Sequence, residues 1–257
     1  MKVFIDISQL VYANWHVWNR EHHTPTFPEA LKININTINY DLMRLLGSGV
    51  NYFMLLDSRP SFRTQIYPEY KGHRPNNDIP WDEIEQFLFN EYACLKYEGL
   101  EADDLAFLVA DARKEQKDVV LVSSDSDWPQ IVERCGCKIY NPKTKLFVET
   151  PEISWKTKVI IGDSSDNVPR CIPTKVGSIG KNGEVTEKTQ RVGEGAVQKL
   201  LDKGQTISQI IKHFHGDPDS EEAQRNYKLI VFDYRIYEKY IPNINQLKQV
   251  LSNGDIF

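Results

Sequence analysis

Carboxylates carry the chemistry this chain is equipped to do. Asp6, Asp57 and Asp125 each close an apolar, strand-like run: Lys2–Val3–Phe4–Ile5–Asp6, Tyr52 to Asp57, and Val119 to Asp125. Others arrive in close pairs, as Glu101-x-Asp103–Asp104, Asp125-x-Asp127 and Asp163-x-x-Asp166. Carboxylates gathered at strand ends do not all stay charged unless something neutralises them. Oxygen-rich sets of this kind suit hard divalent cations, Mg²⁺ above all, with Mn²⁺ as a substitute. The chemistry that follows is two-metal phosphodiester hydrolysis. Asp41 and Asp111 fall inside helical patterns without ligand context and are set aside.

Each acid has a plainer role when taken alone. Asp6 and Asp57 could end a strand as turn formers or helix caps, and Asp103–Asp104 could cap a helix. Ser124-Asp125-Ser126-Asp127 and Asp163-Ser164-Ser165-Asp166-Asn167 have the composition of turns. The joint pattern favours metal, because independent structural roles do not require strand after strand on one edge to end in a carboxylate.

A basic, aromatic stretch from Arg59 to Arg74 follows the second strand-end acid at once. It holds Arg59, Arg63, Lys71 and Arg74 against Glu69. Lys71 and Arg74 are three apart, so a helical backbone would project both to one side. Cations placed so stabilise charge developing on a phosphoryl transition state. Tyr70 beside them offers a ring for a base to stack on. A solvated basic face over core tyrosines is the plainer alternative.

Bulk properties set wide bounds. A chain of 257 residues with 40 % hydrophobic and 11 % aromatic residues has ample core for one large domain or two moderate ones. No apolar run approaches the roughly 18 residues needed to span a bilayer. The first residues meet a charge too early for a secretory signal. Four cysteines without framework or zinc spacing point to a reducing cytoplasm, bacterial or of an infected host. Two divalent cations would bring the formal charge of −5 to −1. Arg59–Arg74 and Arg170–Lys203 each carry a surplus of three positive charges, so the sum does not exclude nucleic acid.

Several elements position these residues. After the first strand a polar connection is expected through about Pro28, then a helix over Leu31–Leu46 stopped by Gly47. A strand ends at Asp57, and helices are expected from Trp81 and over Ala102–Ala112, the latter with acids in its first turn, where the helix dipole favours them. Val119–Ser123 reads as a strand, Trp128–Val132 as the start of a short helix, and Lys138–Tyr140 with Leu146–Val148 as a hairpin. This alternation implies an α/β core with a mostly parallel sheet flanked by helices. Sites in such sheets form beyond the carboxyl ends of the strands. From Pro151 the chain turns helical and polar. Ser178–Arg191 reads as an exposed hairpin or mobile loop around Asn182-Gly183, with helices over Ala196–Leu201 and Ile207–Phe214.

Taken in order, the motifs resemble the structure-specific 5′-nuclease family of flap endonucleases and 5′-3′ exonucleases. They are Phe4-Ile5-Asp6, Leu56-Asp57, Phe62-Arg63, Tyr70-Lys71-x-x-Arg74, Glu101-Ala102-Asp103-Asp104, Ser124-Asp125-x-Asp127 and Gly162-Asp163-Ser164-Ser165-Asp166-Asn167-Val168-Pro169. The likeness covers roughly residues 1–205. Met1–Leu10 and Phe232-Asp233-Tyr234 look most like the phage ribonuclease H branch.

The resemblance implies a PIN-like nuclease core over 1–162, with a helical arch over 59–98. A helical DNA-binding region over 163–257 would end in a segment packing back onto the core. Asp6, Asp57, Glu101, Asp103 and Asp104 would serve one ion, and Asp125, Asp127, Asp163 and Asp166 a second. Asp6 and Asp57, with Lys71 and Arg74, would be catalytic. Arg59, Arg63, Tyr70, Lys71, Arg74, Lys175, Gly193, Gly195 and Lys199 would contact nucleic acid. Gly193–Leu201 resembles the family's helix–three-turn–helix, though Arg191 stands where its first hairpin glycine is expected.

The implied activity is metal-dependent cleavage near the 5′ ends of flapped, nicked or primer-bearing duplexes of DNA or RNA–DNA hybrid, in replication or repair. The implied state is a monomer without membrane contact, with a single-stranded DNA-binding protein or polymerase as partner. A non-catalytic DNA-binding relative would be expected to lose some of the nine acids, and none is missing. A PIN-type ribonuclease is disfavoured by the basic stretch and the late Asp163/Asp166 pair.

Overall fold

The structure, a computed structural model, describes residues 1–20, 25–74, 78–148, 155–173, 175–179 and 185–254, with backbone alone over 175–179 and 185–191. They form two compact units: residues 1–62, 76–151 and 234–257 make the first, residues 63–75 and 152–233 the second.

The first unit is built on β1 (Lys2–Asp6), α1 (Ile7–Trp18), α2 (Phe27–Leu46) and β2 (Asn51–Leu55). The chain enters the second unit through α3 (Arg63–Ile66). It returns with α4 (Trp81–Glu91), β3 (Ala93–Leu95), α5 (Ala102–Ala112), β4 (Val119–Val122), α6 (Pro129–Cys135), β5 (Lys138–Asn141) and β6 (Leu146–Val148). The sheet runs β3-β2-β1-β4-β5-β6, parallel except for the antiparallel edge strand β6. Parallel strands are covered on both faces and so need unbroken apolar runs. Val3-Phe4-Ile5 and Val119-Val120-Leu121-Val122 supply them and are buried throughout.

The sheet order reverses about β1, whose neighbours are β2 and β4. The crevice at such a reversal opens at the strands' carboxyl ends, where Asp6 ends β1 and Asp57 and Asp125 follow β2 and β4. The parallel core matches expectation. The polar connection after Asp6 does not: α1 starts there directly. Leu10 and Val11 are buried against α2, with Trp15 and Trp18 packed beside them. His16 and Asn14 dilute that apolar stripe, which conceals its helical spacing in the sequence. Strand β3 also went unread, being three residues long.

The second unit adds α7 (Trp155–Ile161), β7 (Lys175–Ile179), β8 (Val185–Arg191), α8 (Glu194–Asp202), α9 (Ile207–Phe214) and α10 (Glu221–Ile230). Helices α7, α8 and α9 close over Ile160, Val197, Ile210 and Ile211. The expected hairpin is present as antiparallel β7–β8, with its register shifted between Gly177 and Ser178. Its turn at Asn182-Gly183 lies outside the described residues.

The boundary expected at residue 162 is not where the chain divides. Residues 63–75 and 152–162 belong to the second unit. The last helices, α11 (Tyr234–Tyr240) and α12 (Ile244–Asn253), belong to the first, where α12 packs on α5. Among the described residues no helix is long and apolar enough to cross a membrane.

Candidate active site

In the first unit the acids are tied to one another through backbone and hydroxyl donors. Asp6 caps α1: Oδ1 accepts the Gln9 N–H at 3.2 Å, and Oδ2 accepts the Ser123 hydroxyl at 3.0 Å. Asp57 accepts the Ser8 hydroxyl and the Ala102 N–H, both at 2.8 Å, which joins the end of β2 to the first turn of α5. At that turn Glu101 and Asp104 form a reciprocal capping box, with Glu101 N–H donating to Asp104 Oδ2 at 2.9 Å. Asp104 is fully buried, and its Oδ1 accepts the Tyr237 hydroxyl at 2.9 Å. After β4, Asp125 Oδ1 accepts the Asp127 N–H at 2.8 Å in a tight turn.

Electrostatics make this more than a set of caps. Burial pushes the Asp6 carboxyl up to about 7, and the nearby charges of Asp57 and Asp125 add to the rise against the Gln9 and Ser123 hydrogen bonds. Glu101, Asp103 and Asp104 each offer an oxygen within 4.8 Å of the others'. Among the described residues this is the only such group of three. The capping reading of Asp6 and Asp104 is therefore correct as far as it goes, and Glu101 caps the same helix as Asp104. Caps alone do not require three carboxylates packed so closely, nor a buried acid beside two further negative charges.

Arg59 is a cation on which two of these acids act. Burial would depress its guanidinium, but the Tyr12 hydroxyl and the charges of Asp57 and Glu101 hold it above its ordinary range. It donates to Tyr12 Oη at 3.3 Å and lies 5.9 Å from the Trp81 ring centre. A cavity of about 180 Å³ lies here, with Ser8, Asp57, Arg59, Trp81 and Lys96 in its wall.

In the second unit, Asp163 and Asp166 sit on a loop that only glycine can open. Gly162 has φ +79°, and a Cβ there would meet the Val168 carbonyl oxygen at 2.3 Å. The loop closes by two backbone bonds, Asp163 N–H to Val168 O at 2.9 Å and Val168 N–H to Asp163 O at 2.8 Å. Asn226 of α10, wholly buried, anchors it through bonds to the Val159 and Pro169 carbonyls.

Asp163 pairs with Lys158 of α7 at 2.7 Å. Burial would raise the Asp163 carboxyl, but Lys158 and Ser165 overcome it and hold the group below its usual range. Asp166 accepts the Tyr70 hydroxyl at 3.0 Å and forms ion pairs with Arg74 and, at 3.9 Å, Lys71. The Lys71 N–H donates to the Asp166 carbonyl at 2.9 Å, which fastens the basic stretch to the acidic loop within this unit.

Two expected nucleic-acid contacts are corrected by burial. Arg63 is 2 % exposed, and its Nε–H donates to the Leu229 carbonyl at 2.9 Å, so it is a core residue and not a phosphate ligand. Tyr70 is 5 % exposed, in a cluster with Val159 and Leu229, so its ring is packed inside rather than presented to a base. Both were read from a stretch whose composition is basic and aromatic, and composition does not say which side chains point inward. Lys71 is half-buried, while Arg74 and Lys199 are exposed. Gly193 caps α8, and Gly195 follows in its first turn. The Lys175 side chain lies outside the described residues. Sequence reading missed Lys158, Tyr237, Asn226 and Gln9, whose Oε1 accepts the Ser124 N–H at 2.6 Å. Lys158, Tyr237 and Asn226 belong to no charge cluster or quoted motif; Gln9, within Met1–Leu10 and three residues after a strand-end acid, left a signal.

Fold and site together define a class of α/β protein that gathers acidic side chains at the carboxyl edge of a parallel sheet. The chain belongs to the 5′-3′ exonuclease family: residues 2–158 match the model of its N-terminal resolvase-like domain. Flap endonuclease Xni of Psychromonas ingrahamii is 30 % identical over 174 residues, covering 64 % of this chain and 65 % of the relative. Ribonuclease H of Enterobacteria phage T4 is 29 % identical over 193 residues, covering 64 % and 61 %. The chain thus spans under two thirds of the length of these curated relatives. A zinc-bound structure of the T5 5′-exonuclease superposes with a TM-score of 0.66 at 17 % identity, over 100 % of this chain and 98 % of that one. That likeness shows the fold.

The family implies divalent metal, and the donors fit it. They are hard carboxylate oxygens, three of them within 4.8 Å of one another. The buried Asp6 carboxyl, with the charges of Asp57 and Asp125 acting on it, is a further oxygen donor of the same kind.

Proposed function

We propose that the chain is a divalent-metal-dependent 5′ nuclease. It hydrolyses phosphodiesters near the 5′ ends of flapped, nicked or primer-bearing duplexes, leaving a 5′-phosphate and a 3′-hydroxyl. The observation that carries this is the Glu101/Asp103/Asp104 group, whose helix start is tied through the Ala102 N–H to Asp57, an acid whose charge acts on the buried Asp6. Bound divalent ions supply Lewis acidity and charge neutralisation at a phosphodiester. Asp6, Asp57, Glu101, Asp103 and Asp104 hold the first ion. Asp125 and Asp127 are further acids of the first unit, and Asp163 and Asp166 of the second.

The chain's other groups bind and offset charge. Lys71 and Arg74 pair with Asp166 and are the cations that this stretch offers to a phosphate. Arg59 balances Asp57 and Glu101, keeping a positive group beside two acids. The names of the relatives support DNA as substrate and, through ribonuclease H, an RNA–DNA hybrid. A polymerase or single-stranded DNA-binding partner and a cytoplasmic location belong to the same proposal.

The test is cleavage of a 5′-labelled flap, an RNA–DNA primer hybrid and single-stranded RNA, in Mg²⁺, Mn²⁺ and EDTA. Metal-dependent release of short products from the 5′ end is expected. Full cleavage in EDTA would refute the reading. Binding without cleavage in every metal would make the chain a structure-specific DNA-binding protein, and preference for single-stranded RNA would make it a PIN-type ribonuclease.

A further inference from the structure

Tyr237 reaches the carboxylates from a segment beyond residues 2–158, where the family model matches. It lies on α11, and its ring is buried edge-on to Phe62 at 5.7 Å and tilted against Phe107 at 6.1 Å. Phe107 belongs to α5, the helix whose first turn bears Glu101, Asp103 and Asp104. The Tyr237 hydroxyl donates to Asp104 Oδ1 at 2.9 Å, while Oδ2 of the same carboxylate takes the Glu101 N–H at 2.9 Å. A carboxylate with a donor on each oxygen has its plane and rotamer restrained.

The two donors come from parts of the chain distant in sequence, so neither alone determines the orientation. A buried tyrosine needs a hydrogen-bond acceptor of some kind. Here the acceptor is one of the three carboxylates whose oxygens converge within 4.8 Å.

We propose that Tyr237 is a positioning residue of the metal site: acting through Asp104, it holds the Glu101/Asp103/Asp104 oxygens in the geometry that accepts a divalent cation. The C-terminal segment is then part of the metal-binding apparatus and not only a cover for α5. Groups that orient metal-binding side chains from behind are worth about 10- to 100-fold in metal affinity. The inference rests on the metal-dependent reading above.

The experiment titrates the metal-free full chain with Mn²⁺, following free ion by electron paramagnetic resonance, for wild type, Tyr237→Phe, Asp104→Asn and the double variant. Phenylalanine keeps the ring contacts with Phe62 and Phe107 and removes the hydroxyl. Affinity should fall about 10-fold or more in Tyr237→Phe, and adding that change to Asp104→Asn should cost nothing further. Wild-type affinity in Tyr237→Phe, or an equal loss on both backgrounds, would overturn the proposal. A role confined to stability would lower the melting temperature without moving the affinity.

If Tyr237→Phe does not fold, fluorinated tyrosine at position 237 changes the acidity of the hydroxyl with little change of shape. Affinity must then follow that acidity, and constancy overturns the idea. A wild-type chain that takes up no Mn²⁺ would sink the metal reading itself. Uptake unaffected by the hydroxyl would sink this inference alone.

Discussion

Asp6 lies buried at the end of β1 with Asp57 and Asp125 acting on it, and its carboxyl is pushed up to about 7. An acid whose folded value exceeds its unfolded value binds protons more tightly when folded, so its contribution to stability is present below about pH 4 and is lost as pH rises to about 7. Asp6→Asn removes that penalty. In EDTA at pH 8 the variant should be more stable than wild type, by on the order of a few kcal/mol, and Mg²⁺ should raise the melting temperature of wild type but not that of the variant. Melting curves from pH 5 to 8, with and without Mg²⁺, give both results. Identical pH profiles would remove Asp6 from the metal site.

Asp163 has the opposite sign. Its depressed carboxyl contributes stability at neutral pH that is lost as the pH falls through its folded value. Lys158→Met leaves that nearly buried charge without its ion-pair partner and should cost about 3 kcal/mol at pH 7, read from denaturant unfolding. Lys71→Ala, on a side chain that reaches both the Asp166 carboxylate and the Tyr70 ring face, should reduce turnover by about 10²-fold or more. Mn²⁺ affinity should change little, and an unchanged rate would remove Lys71 from the reaction.

At the scale of elements, the Gly162–Pro169 loop is the part most sharply prescribed by local sequence. The left-handed Gly162 and the 2.3 Å approach to the Val168 carbonyl exclude any Cβ. Gly162→Ala should therefore destabilise the second unit by more than the roughly 1–2 kcal/mol of a strained φ alone, because the Asp163–Val168 bridge must also open. Amide hydrogen exchange at Asp163 and Val168 would show it, and native protection there would refute the account.

Helix α5 was legible because Ala102–Ala112 couples an unbroken apolar run to acids in its first turn. Helix α1 was not, since Asn14 and His16 dilute its apolar stripe, where α2 keeps a simple aliphatic spacing. Arg63 and Tyr70 were misplaced for the same kind of reason. An arginine that spends its Nε–H on a distant carbonyl is indistinguishable in sequence from one aimed at a phosphate.

For the whole molecule, the chain crosses between its units more than once, so the units are not consecutive stretches of sequence. Residues 234–257 complete the first unit, with Leu247 and Leu251 of α12 buried. A fragment ending at residue 162 should therefore fail to fold, although it contains the whole sheet. Circular dichroism of residues 1–162 against the intact chain tests this, and a cooperative melt of the fragment would show that the C-terminal helices are dispensable.

What the sequence determined by itself is the chemistry on offer and the sheet that presents it. Apolar runs ending in Asp are local patterns, and a parallel sheet must bring its strand ends to one edge. What the tertiary structure decided is which charges meet. Lys158 with Asp163, Lys71 and Arg74 with Asp166, and Tyr237 behind Asp104 join residues through folding, at separations in sequence that no periodicity encodes. Burial then sets whether each group is a ligand, a counter-ion or a support, because the cost of a charge depends on the medium around it and not on its neighbours in the chain.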